Sequence, residues 1–212
     1  MWGAITGLTA EAALLTATPL RLAIGNGTTA GARRAAQSLL DQGVTALISF
    51  GLAGGLNPTY QPGTLLIPRA IIAGADHYQC DPDLCRALGG TTGDVLLGHD
   101  AIAATRAEKS ALFAATGAAA IDLESGAVAT LAAAHGVKFA AIRAIADPAW
   151  RDLPPLALNA LDDAGKIRWG FVLGELWRHP GHLPGLMQIG ADANRARQSL
   201  KASLIQCHWP AR

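Results

Sequence analysis

Apolar and polar positions follow two rhythms along this chain. Seven short runs rich in Val, Ile, Leu and Ala read as strands: WGAITG (2–7), LRLAIG (20–25), TALISFG (45–51), GTLLIPRAIIAG (63–74), DVLLG (94–98), AAAIDL (118–123) and KFAAIRAIA (138–146). Several are apolar throughout rather than at alternate positions, which suits strands covered on both faces in a mainly parallel sheet. Between them TTAGARRAAQSLLDQG (28–43), TRAEKSALFAATG (105–117) and SGAVATLAAAHG (125–136) show helical spacing and end in Gly, the residue favoured just past a helix C-terminus. This alternation predicts one α/β domain over residues 1–212, a central mixed, mostly parallel twisted sheet flanked by helices.

From Pro154 the rhythm becomes helical: PPLALNALDDAGKIRWGFVLGELWRH (154–179), a turn PGHLPG (180–185), then GADANRARQSLKASLIQCH (190–208). Trp169, Phe171, Val172, Leu176 and Trp177 make the first of these unusually apolar. Two readings stand. It is a core-facing helix of the same domain, or a greasy surface for a lipid-like ligand, a membrane face or a subunit contact.

Composition narrows the function classes. Half of the residues are hydrophobic, 16% are charged and the formal net charge is +1. Nucleic-acid binding needs a concentrated basic surface, which this balance does not supply. Disorder needs low hydrophobicity and high net charge. The opening MWGAITGLTAEAALL has no basic stretch and carries an acid inside its apolar run, so it does not read as a signal peptide. No uninterrupted spanning segment occurs. Three cysteines do not make a disulfide framework, and the expected location is the cytoplasm. His77, Cys80 and Cys85 lie close in sequence, but no second ligand pair accompanies them, so no metal or resident cofactor is expected. His179 and His182 fall in the Pro/Gly turn and are expected to be solvated.

The charges themselves raise the sharper question. Within residues 119–150, among Ala, Val, Ile and Phe, stand Asp122, Glu124, Arg143 and Asp147. A buried unpaired charge is costly, so each must be paired, neutralised by a proton, or waiting for a ligand. Asp122 and Glu124 are two apart and share one strand face; a carboxylate at a strand end can accept both hydroxyls of a vicinal diol. Asp147 follows a strand and precedes Pro148, where regular structure stops. Apolar surroundings raise an acid's pKa toward neutrality and make it a proton donor. The plainer alternative pairs Asp122 or Asp147 with Arg143. Two glycine-rich turns follow strands: SFGLAGGLNP (49–58), with Gly51, Ala53 and Gly54, and IGNGTT (24–29), with Asn26. Backbone amides there could hold an anion or a sugar hydroxyl, though neither turn has dinucleotide or P-loop spacing.

In their order, FGLAGGL (50–56), IDLESGAVA (121–129) and IRAIADPA (142–149) resemble motifs of the purine and uridine phosphorylase superfamily, which includes the methylthioadenosine nucleosidases. The resemblance covers most of residues 1–150 and implies the nucleoside phosphorylase fold, N-glycosidic bond cleavage and a homo-oligomer. It assigns Glu124 to the ribose hydroxyls, Leu123 to the family methionine against the sugar, Asp147 to the acid facing purine N7, and Arg143 to orienting the polar end of the site. Gly51, Ala53 and Gly54 would bound the anion or nucleophile subsite. Asp100 would precede backbone lining the base pocket, and Gly7 would form the N-terminal turn. Glu11, in GLTAEA, lies in the stretch where the nucleosidases carry a water-activating glutamate, one position short of it when the glycines are aligned. Leu52 and Ala146 stand where family members often have Ser, and the phosphate-binding Gly-Asp-Pro-x-Arg segment is missing.

GLTAEA, GLAGGLNPTYQPGTLLIP and IDLESGAVA look most like the hopanoid-associated phosphorylases. That likeness implies release of adenine from adenosylhopane with inorganic phosphate as co-substrate, and peripheral contact with the inner membrane face through the apolar 154–189 region. The alternatives are a hydrolytic methylthioadenosine/adenosylhomocysteine-type nucleosidase and a non-catalytic purine-nucleoside binding protein.

Overall fold

The structure is a computed structural model that describes residues 1–154 and 183–210. Its elements run β1 (Trp2–Thr6), α1 (Thr9–Ala12), a 3-10 turn (Ala13–Leu15), β2 (Arg21–Ile24), α2 (Thr29–Asp41), β3 (Ala46–Gly55), β4 (Leu65–Leu66), β5 (Ala70–Ala73), β6 (Asp76–Gln79), α3 (Pro82–Ala87), β7 (Val95–Gly98), α4 (Arg106–Thr116), β8 (Ala120–Asp122), α5 (Ser125–Ala134), β9 (Lys138–Asp147) and α6 (Leu183–Ser203). The described strands form one mixed sheet in the order β2-β1-β3-β8-β7-β5-β6, with β9 paired to β3 and β4. Pairing is parallel in β1–β2, β1–β3, β3–β9, β5–β7 and β7–β8. It is antiparallel in β3–β8, β4–β9 and β5–β6. The α/β expectation holds.

β3 organises the site. Its first half pairs with β1, its end at Gly54 and Gly55 pairs with β8, and β9 follows it from Ala46 to Gly54 with a register shift after Ala53. β3 thus runs on past the end of β1 at Thr6, and the antiparallel β8 sets Ile121 opposite Gly54 and brings its carboxyl end at Asp122 back toward that end of β1. Crevices beyond strand ends of this kind are where α/β sheets bind ligands.

Several boundaries differ from the periodicity. The run 63–74 breaks in two around Pro68, because proline cannot donate to a ladder. Leu65 and Leu66 stay with β9, whereas Ala70–Ala73 crosses to β7. β3 continues four residues beyond the expected end at Gly51. β6, α1 and α3 were not anticipated; each is short, and α3 is set by Asp81, whose side chain accepts the Asp83 and Leu84 amides. The described part of α6 starts at Leu183, so Pro184 and Gly185 are helical rather than part of a loop. The expected helix 154–179 lies almost wholly outside the described residues, as do His179 and His182.

The main core packs β1, β3 and β9 against α2, α5 and α6, with Ile5, Leu39, Phe50, Val128, Ile142, Ala196 and Leu200 buried in it. A smaller cluster of Leu56, Ile72, Leu97, Ala103, Ala118 and Ile121 receives Leu112 and Phe113 of α4. No described helix is long and apolar enough to cross a membrane.

Candidate active site

Arg143, in the middle of β9, is the buried node of the site, with 1% exposure. Its Nη2 lies 2.5 Å from Asp122 Oδ2 and 3.5 Å from Glu124 Oε2. The same nitrogen donates to Ser49 Oγ at 2.5 Å and Ser125 Oγ at 3.1 Å. Burial works against the guanidinium charge, but Asp122, Glu124 and Glu11 hold it above its ordinary pKa. The register of β3 on β9 sets Gly51 opposite Arg143. A Cβ on Gly51 would stand 2.5 Å from Arg143 Nη1 and 2.7 Å from Glu11 Oε1. Glycine is needed here for close approach.

Asp122 ends β8 and turns back on the next helix. Its oxygens accept the Ser125 amide at 3.1 and 3.2 Å and the Ser125 hydroxyl at 2.6 Å. This starts α5, most of whose side chains are buried. Of the pairings the sequence left open, Arg143 takes Asp122.

Three further carboxylates face the crevice. Glu11 of α1 is buried; its Oε2 accepts the Leu8 amide and its Oε1 the Leu52 amide, both at 2.8 Å. Burial pushes its pKa up, against the pull of Arg143 and these amides. Glu124 is buried, and its Oε1 has no hydrogen-bond partner among the described residues. Burial raises its pKa to about 7; Arg143 lowers it, Asp122 and Glu11 add to the rise, and the Gly27 amide lowers it. Asp147, at the end of β9, is held by Lys109, whose Nζ lies 2.6 Å from Oδ2, while Oδ1 is buried without a described partner. Burial raises the pKa of Asp147 and Lys109 opposes the rise.

These groups enclose a cavity of about 270 Å³. Its charged lining side chains among the described residues are Glu11, Asp122, Glu124 and Asp147; Leu8, Leu52, Ile102, Ile121 and Leu153 supply apolar wall. The structure thus brings Gly7, Glu11, Ala53, Gly54, Leu123, Glu124 and Asp147 together around one space. Gly7 is tight against Glu124: a Cβ there would be 3.0 Å from both carboxylate oxygens.

Four expected residues fall elsewhere. Arg143 and Gly51 lie behind the wall, where they position Glu11, Asp122 and Glu124. Asn26 adopts a left-handed turn, φ 57°, and its neighbour Gly27 lines the cavity instead. Asp100 accepts the Thr29 hydroxyl at 2.7 Å and borders an adjacent depression; the chain after it, Ala101–Ala103, does line the cavity. Sequence reasoning missed Lys109, Ser49 and Ser125. Lys109 alone had a visible signal: it shares a helical stripe with Leu112 and Phe113, at i+3 and i+4.

A mixed central sheet flanked by helices in this arrangement is the fold of the nucleoside phosphorylases and nucleosidases. The phosphorylase superfamily model matches residues 12–91 and 91–157, and the chain belongs to that superfamily. Among solved structures it is similar to futalosine hydrolase of Helicobacter pylori, with 14% identity and a TM-score of 0.71 over 97% of this chain and 95% of that one. It is also similar to S-adenosylhomocysteine nucleosidase of Streptococcus pyogenes bound to 5-methylthiotubericidin, with 17% identity and a TM-score of 0.66 over 96% and 95%. The 5′-methylthioadenosine/S-adenosylhomocysteine nucleosidase of Helicobacter pylori gives 14% and 0.65 over 96% and 97%. At these identities the likeness is one of fold. No curated protein sequence matches the chain.

Proposed function

We propose that this protein cleaves the N-glycosidic bond of a purine nucleoside with water as nucleophile. The observation that carries the reading is the convergence of Glu11, Glu124 and Asp147 on one cavity, two of them with a buried, unpartnered oxygen. Asp147 in its acid form gives its proton to N7 of the base. The C1′–N9 electron pair passes into the purine ring, and C1′ gains oxocarbenium character. The ionised Glu124 accepts hydrogen bonds from the ribose hydroxyls and favours the positive charge developing beside them. Water adds to C1′ and loses a proton to the Glu11 carboxylate. Exchange with solvent then returns a proton to Asp147 and takes one from Glu11. General-acid help of this kind contributes roughly 10²–10⁴-fold.

Two features favour water over the phosphate expected from the sequence. The glycine loop already holds an anion, since the Leu52 amide donates to Glu11. The charged lining side chains described are all carboxylates, which repel a phosphate dianion. The apolar wall at Leu8, Ile102 and Leu153 supports a substrate with an apolar 5′ substituent, from the thioether of methylthioadenosine to the hydrocarbon of adenosylhopane. The apolar 154–189 region invoked for a membrane face lies mostly outside the described residues.

The test follows adenine release from adenosine, methylthioadenosine and detergent-dispersed adenosylhopane, with and without phosphate, in ¹⁸O-water. Hydrolysis yields a free sugar with one ¹⁸O at C1 and no phosphate dependence, and Glu11→Gln slows it by about 10²-fold. A sugar 1-phosphate made only with phosphate would replace water by phosphate as nucleophile. No base release from any substrate, with nucleoside binding retained in calorimetry, would leave a binding protein.

A further inference from the structure

Lys109 is a lysine with no exposed surface. An ammonium has three donors, and all three have acceptors here: Asp147 Oδ2 at 2.6 Å, the Arg151 carbonyl at 2.8 Å and the Pro148 carbonyl at 3.1 Å. None is left for a ligand. The helix that carries it is firmly placed. Thr105 and Glu108 form a reciprocal cap at its start, Gly117 ends it in the left-handed conformation, and Leu112 and Phe113 pack into the smaller core cluster.

We propose that Lys109 is a positioning residue for the reaction above: by holding Oδ2 of Asp147 it fixes the carboxyl group at the cavity and stabilises the carboxylate left behind when the proton goes to the base. This inference rests on the nucleosidase reading. When that proton passes to N7, the electrons of the O–H bond remain on Asp147 as a carboxylate in a largely apolar wall. Lys109 is already in place to stabilise that charge. Its contribution therefore grows as the proton leaves, which is the condition for lowering a barrier rather than tightening ground-state binding.

Among the described residues, the charged groups acting on Asp147 come from three elements: Lys109 from α4, Arg151 from the loop after β9, and Asp192 from α6. Burial favours the neutral acid, Lys109 and Arg151 oppose it, and Asp192 assists it. Replacing Lys109 by a neutral residue therefore makes Asp147 keep its proton to higher pH. The alkaline limb of the kcat profile, where Asp147 loses its proton, moves upward. A purely structural lysine, holding only the Pro148 and Arg151 carbonyls, would lower stability and leave that limb in place.

The experiment measures kcat and KM against pH for the wild type, Lys109→Met, Lys109→Gln, Asp147→Asn and the double variants. Lys109→Gln keeps donors for the carbonyls and serves if the methionine variant does not fold. Expected are a ~10- to 100-fold fall in kcat, a KM little changed, an alkaline limb displaced upward, and almost no further loss when Asp147→Asn is already present. An unmoved limb in the folded variants, or losses that multiply in the double variants, would overturn the role of Lys109. Absence of base release by the wild type would instead bring down the nucleosidase reading, whereas release by a wild type whose limb the variants leave unmoved brings down Lys109 alone.

Discussion

Arg143 Nη2 stands 2.5 Å from Asp122 Oδ2 but 3.5 Å from Glu124 Oε2. The guanidinium thus commits its close ion pair to the residue that also starts α5, and only leans on the carboxylate facing the cavity. Glu124 keeps one oxygen without a partner among the described residues, while Asp122 takes the closer ion pair.

Removing the cation should be severe. Arg143→Met leaves Asp122, Glu124 and Glu11 without their shared partner in a buried setting. Breaking one side of such a pair costs about 3–5 kcal/mol. Urea unfolding should show that loss, and Arg143→Lys should recover only part of it, because lysine keeps the charge but not the planar fork, and Nη1, which lies against Gly51 near Glu11, has no counterpart in it.

The pH dependence has a defined sign. Burial raises Glu124 from its ordinary 4.5 to about 7. Between those values the folded state binds a proton that the unfolded state has lost, so stability falls as pH rises through the window. The loss is on the order of 3 kcal/mol once both states are ionised. Glu11 and Asp147 are shifted in the same direction. Urea midpoints should therefore decline from pH 5 to pH 8, and Glu124→Gln should flatten the slope. Catalysis runs the other way on its acid limb: kcat/KM should rise through a pH of about 7 as Glu124 becomes an acceptor for the ribose hydroxyls.

Much of this arrangement is legible in the residues themselves. The carboxylates of IDLES and of the strand end before Pro148 were recognisable because charge is rare in such apolar runs. Their partners were not. Asp122 and Asp147 were both candidates for Arg143, and only the register of β9 on β3 and the approach of α4 show that Asp147 belongs to Lys109. The glycines at 51, 54 and 55 suggested a turn, yet β3 runs through them. Flanking strands supply their hydrogen bonds, and what the missing side chains provide is room for Arg143, Glu11, Ile121 and Ile145. Asp100 came in through the resemblance, as the residue before a pocket-lining stretch; Ala101–Ala103 do line the cavity, while the Thr29 hydroxyl holds Asp100 itself at the start of α2.

Gly51 and Gly117 make a controlled contrast. Gly51→Ala sets a methyl 2.5 Å from Arg143 Nη1 and 2.7 Å from Glu11 Oε1. Both groups are fixed by several bonds, so the substitution should cost about 1–3 kcal/mol, as overpacking does, and depress activity through Glu11. Gly117 caps α4 at φ 66° with open space around it. Gly117→Ala should cost about 1 kcal/mol through the left-handed conformation and leave kcat/KM alone. Parallel melts and assays of the two variants distinguish crowding at the site from backbone strain far from it.

Asp192 on α6 has no exposed surface and ties the C-terminal helix to the loop that carries two of the three acceptors of Lys109. Its Oδ2 accepts from Arg151 at 2.5 Å and its Oδ1 from Arg195 at 3.0 Å. Asp192→Asn keeps the shape but removes the charge that pairs both arginines. The two cations retain some access to water, at 22% and 60% side-chain exposure, so the cost should stay near 1–3 kcal/mol rather than that of a stranded buried charge. Hydrogen exchange should quicken in α6 first, because that helix loses its polar anchor while β9 keeps its ladder with β3. Exchange that quickens equally along β9 would mean that α6 and the sheet open as one unit, and that the Arg151–Asp192 pair is not the separate clasp its geometry describes.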